Sequence, residues 1–139
     1  MSFRKYTGRV AVVLRLILSL AYLFVGGAGV AALWFTPTTI SSVTGIGITY
    51  FWGTLAALGG FAGFAAVIYD RWRLEFVAAP LAAGGVLCYA ISVWSLVLEA
   101  TTRSTQANMI VATGLLLLYR TVELFATAEF HRNLNSPNA

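Results

Sequence analysis

Residues 10–35 read VAVVLRLILSLAYLFVGGAGVAALWF, an apolar run broken by one ionisable side chain, Arg15. A helix needs about 20 such residues to cross a hydrocarbon core of about 30 Å. Three more stretches of similar character follow, at about 48–69, 76–98 and 108–128. Backbone polar groups find no partners in lipid, so each span must be helical or belong to a closed barrel. A barrel needs alternation with period two, and Leu115-Leu116-Leu117-Leu118 shows none. The expected fold is an all-α integral membrane protein, a bundle of four transmembrane helices in a single domain spanning 1–139. A short polar tail, 129–139, ends it.

Composition agrees. Of 139 residues, 59% are hydrophobic and 10% charged, and the mean hydropathy is +0.81. A soluble domain carries about 25% charged residues. Five acids and nine bases are too few to clothe a domain this small in water. The same numbers exclude a disordered chain and a nucleic-acid module, so no nucleic-acid partner is expected. The lipid bilayer is the first partner. The net charge of +4 is read through its placement. Arg4, Lys5, Arg9 and Arg15 flank the first span, Arg71 and Arg73 follow the second, and Arg120 and Arg132 lie at the far end of the fourth. If spans alternate, all of these fall on one side, and only Arg103 falls on the other. Basic residues stay in the cytoplasm, which gives both termini cytoplasmic and a plasma-membrane location, bacterial in character. A cleaved signal peptide ending near Val30-Ala31-Ala32 is the rival reading, but its apolar region is usually 7–15 residues long.

Ionisable residues inside spans usually face the bundle or water. Arg120 and Glu123 lie one turn apart on one helix face. A 1.5 Å rise puts them roughly 18 and 22 Å beyond Asn108, close to the cytoplasmic edge. Arg15 and Glu75 fall at a similar level. Two readings stand open: an ion network of Arg15 and Arg120 with Glu75 and Glu123, or long side chains snorkelling to the headgroups. Gly26 and Gly27 in the first span, Gly59 and Gly63 in the second, and Ala83 and Gly84 in the third offer close helix approach. They serve packing within the bundle, self-association between copies, or both. The single cysteine, Cys88, and the single histidine, His131, make no metal cluster or triad. No metal, cofactor or enzymatic activity is therefore expected.

Tyr69-Asp70-Arg71-Trp72-Arg73-Leu74-Glu75 and Tyr119-Arg120-Thr121-Val122-Glu123-Leu124, each near the end of an even-numbered span, admit two explanations: a repeated two-helix unit, or the ordinary taste of interfaces for Tyr, Arg and Trp. With chain length and topology, these stretches resemble small four-span membrane proteins of actinobacteriophages, holin-like in kind. The resemblance implies a protein that oligomerises in the host cytoplasmic membrane and permeabilises it for lysis. An accessory or scaffold protein docking on another membrane complex is the alternative. A small transporter or channel is a third, and it lacks a polar site at mid-membrane.

Overall fold

The computed structural model describes residues 8–35, 45–97 and 104–134, without the side chains of 96–97 and 131–134. Four long helices account for nearly all of it: α1 (Arg9–Phe35), α2 (Ile46–Ile68), α3 (Trp72–Val97) and α4 (Ser104–Leu134). All four are long and apolar enough to cross a membrane. The all-α four-helix bundle is therefore as expected, and the chain is a membrane protein. Three helix ends lie four residues or more beyond the spans read from the sequence: the start of α3 and both ends of α4. Helix α3 starts at Trp72 rather than near 76, because the charged stretch is the helix's first turn, not a loop. Glu75 there meets the positive end of the helix dipole. Helix α4 runs from Ser104 to Leu134, since nothing before Pro137 can stop it.

The helices stand in serial order. α1 packs on α2, α2 on α3 and α3 on α4, while α1 meets α3 only slightly and shares no packed seam with α4. The two middle helices are accordingly the most buried. Side-chain pairing makes neighbours antiparallel. Arg15 meets Asp70 and Arg120 meets Glu75, so the start of α1, the α2–α3 turn and the C-terminal half of α4 share one end.

The core is small inside and large outside. Ala56, Ala66, Ala78, Ala79, Ala82, Ala83 and Ala107 are buried, whereas Ile17, Phe24, Phe51, Leu116 and Tyr119 are exposed. Lipid is as apolar as leucine, so burying a large side chain gains little, and tight backbone approach gains more. On α2, a Cβ added at Gly60 would strike the backbone of Gly26, and one at Gly59 the backbone of Ala82. Gly29 of α1 likewise faces the carbonyl of Gly53, and Gly85 of α3 the backbone of Ala56. Helix α2 is thus a thin slat between two close neighbours. The α3–α4 seam is looser and built from larger groups. Gly114 lies under the Leu87 side chain, and Phe76 meets Phe125 with ring centroids 4.3 Å apart.

The α2–α3 turn is held by backbone geometry. Asp70 has φ 54°, and the Arg71 N–H donates to the Ala66 carbonyl over 2.9 Å, as in a helix end closed by a left-handed residue. Aspartate tolerates that conformation better than most residues but at a cost that glycine avoids. Asp70→Ala should therefore lose about 1 kcal/mol or more. Asp70→Gly should be near neutral, because relief of strain offsets an exposed ion pair worth about 0–1 kcal/mol. Detergent melting of the two variants checks this; equal losses would show that the charge, not the backbone, matters.

Candidate functional site

The described part of the chain gathers its buried charge at the α2–α3 turn end. The Arg120 Nε donates to Glu75 Oε1 over 2.8 Å, and its Nη1 to Glu123 Oε2 over 2.7 Å. The side chains of Arg120 and Glu75 are 10% and 6% exposed, and that of Glu123 is 38% exposed. One guanidinium therefore serves two carboxylates, and the triad carries one net negative charge. Its planar fork of donors suits this double role, which an ammonium could not fill with the same geometry.

Helix register explains how the pair forms. Phe76 lies against Phe125 and Leu87 against Gly114. Interpolating, Arg120 sits six residues, about 9 Å along the axis, nearer the middle of the bundle than Glu75. Its side chain runs back towards the start of α3. Isolated in hydrocarbon, that guanidinium would be costly; joined to two carboxylates it becomes a cross-link between α3 and α4.

Arg15 has a partner in the turn. The sequence reading grouped it with Glu75 and Glu123, and the structure adds Asp70 as a partner that reading did not name. The reason is serial order. Arg15 sits on α1, and the charged residues of the turn after α2 stand nearer to it than the α3–α4 seam does. With side chains 37% and 63% exposed, this pair contributes little.

Two residues that composition and spacing did not single out complete the picture. Tyr22 of α1 is fully buried, and its hydroxyl has no hydrogen-bond partner among the described residues. Its ring lies where a Cβ at Gly63 would go. Asp70 is the other, and its left-handed backbone is invisible to a reading of charge alone. The signal available for Tyr22 was its place on one helix face with Gly26 and Gly29, four and seven residues on. Towards the opposite end, Trp52 stacks on Tyr89 at 4.3 Å, and the buried Trp52 Nε1 also lacks a partner.

The small residues divide into two sets. Gly26, Gly59, Gly63 and Ala83 are buried between helices of one chain. Gly63 receives the Tyr22 ring, and Gly26 approaches Phe61, the nearest atoms 3.2 Å from an added Cβ. Gly27 and Gly84 have open space where a side chain would go. Among the described residues, a side chain at either would meet no neighbour from the other helices. Gly53 and Gly60, not singled out beforehand, do have such neighbours, and their spacing of two helical turns along one face was the available clue.

Hydroxyls in the spans are mostly turned on their own helices. Those of Ser92, Thr113 and Thr121 donate to carbonyls four residues back, at 3.2, 2.9 and 2.9 Å. Cys88 is a free, partly buried thiol. Among the described residues, no three His, Cys, Asp or Glu side chains come together as a metal site would require. Set beside protein-family models, curated proteins and solved structures, the chain finds no match in any of the three.

Proposed function

We propose that this chain is a holin-like protein of a bacterial cytoplasmic membrane, encoded by a phage, with both termini in the cytoplasm. Copies accumulate, associate side by side and permeabilise the membrane for host lysis. The observation that supports this reading is the serial order of the helices. A row has two free flanks, here α1 and α4, which present large apolar side chains such as Ile17 and Phe24, or Met109 and Leu116. A row can therefore be extended by a further copy in the plane of the bilayer without unpacking. Weak helix–helix attraction then makes assembly depend steeply on density.

A second reading is an accessory or scaffold protein that docks on another membrane complex. It is favoured by the outward-facing Thr54 and Thr113, whose hydroxyls donate to the Tyr50 and Met109 carbonyls at 2.7 and 2.9 Å and so are satisfied without water. Inducible expression in a bacterial host, with growth and membrane potential followed, separates the two. The holin reading expects abrupt depolarisation, and lysis only when an endolysin is co-expressed. Steady growth at high membrane levels removes it and favours the accessory reading. A reporter fused after Ala139 should be active only in its cytoplasmic form, as positive-inside placement requires.

A further inference from the structure

We infer that bound water bridges the Tyr22 hydroxyl of α1 to the Glu75 carboxylate of α3, inside the bundle beside Arg120. Tyr22 is 0% exposed and its O–H donates to none of the described residues. Tyr22 shares one buried cluster with Ala79 of α3 and Leu124 of α4, and Glu75 and Arg120 lie four residues, one turn, from these on the same helix faces. Glu75, only 5% exposed, uses Oε1 for Arg120, and its second oxygen keeps lone pairs to offer. A phenolic donor on α1 and a carboxylate acceptor on α3 thus border one buried cluster, and among the described residues no hydrogen bond joins them. Leaving the phenol unsatisfied in a membrane interior carries its full desolvation penalty. A buried water needs two or more polar partners, and this site supplies a donor, an acceptor and the adjoining guanidinium.

Water fits better than a cation. Arg120 already neutralises Glu75 through Nε, and its guanidinium would repel a second positive charge. The excess negative charge of the triad belongs to Glu123, which is the more exposed carboxylate. The bridge has a structural consequence. Helix α1 has no packed seam with α4 and touches α3 only slightly, so this link would tie it to the ion pair that joins the other two. It does not depend on the function proposed above.

Two measurements on the full chain in lipid nanodiscs test it. X-ray radiolytic labelling forms hydroxyl radicals from water and marks side chains in contact with it, bound water included. Tyr22 is expected to be labelled despite its burial; an unlabelled Tyr22 overturns the bridge. The second is the melting temperature of Tyr22→Phe, which keeps the ring and deletes the oxygen. A bridged hydroxyl predicts a fall in melting temperature, because a satisfied group is removed and Glu75 loses a partner. A hydroxyl without a partner predicts a rise or no change, and either result overturns the proposal.

Discussion

Arg120→Met is expected to destabilise the bundle by about 3–5 kcal/mol, the usual cost of leaving one member of a buried pair behind. The mechanism is the stranding of Glu75, which is 5% exposed and loses the guanidinium that donates to it. The double variant Arg120→Met with Glu75→Leu should recover most of the loss, because removing both charges removes the desolvation penalty along with the attraction. Arg15→Met provides the contrast. Its pair with Asp70 is exposed, and its loss should cost about 1 kcal/mol or less. Unfolding in mixed micelles at increasing fractions of a denaturing detergent measures all three. If Arg120→Met costs no more than Arg15→Met, the guanidinium is solvated by headgroups and the α3–α4 cross-link is not a stabilising element.

Gly60→Leu should also be hard to accommodate. An added Cβ at Gly60 collides with the backbone of Gly26 and the carbonyl of Tyr22, and backbone cannot rotate away as a side chain can. Overpacking usually costs about 1–3 kcal/mol; here helices α1 and α2 must part along their length, so the loss should reach or exceed the top of that range. Gly27→Leu is the matched control on the adjoining helix. It meets nothing within 4 Å, and losing a mid-helix glycine gains up to about 1 kcal/mol. The same pair separates packing from assembly. Crosslinking in membranes should change with Gly27→Leu or Gly84→Leu if those open positions lie between copies, while monomer stability stays put. A matching loss of stability at Gly27 and Gly60 would mean the glycine faces are not divided as described.

Much of the architecture was legible in the chain. Four apolar runs of the right length, broken by charge at one end, demand four helices, because hydrocarbon solvates no free backbone. Arg120 and Glu123 could be placed on one face by their spacing alone. What charge patterning misjudged was the start of α3. Arg73 and Glu75 looked like loop residues because charge density marks the membrane interface, and a helix passes through that interface without ending. Which Arg meets which acid was also open, and Arg15 went to Asp70 because α1 packs beside the α2–α3 turn.

The sequence by itself therefore determined that this is a four-span membrane protein, with its basic residues gathered towards one end. Hydropathy and helix length are local quantities, and the bilayer imposes them on each segment separately. Only the tertiary structure decided the serial order of the helices, the division of glycines into packed and open sets, and the burial of Tyr22 beside the Glu75–Arg120 pair. Those depend on how closely two backbones approach and at what register. In a bilayer that approach is governed by small-residue contact rather than by the hydrophobic effect, and contact between distant segments leaves no periodic trace in a single chain.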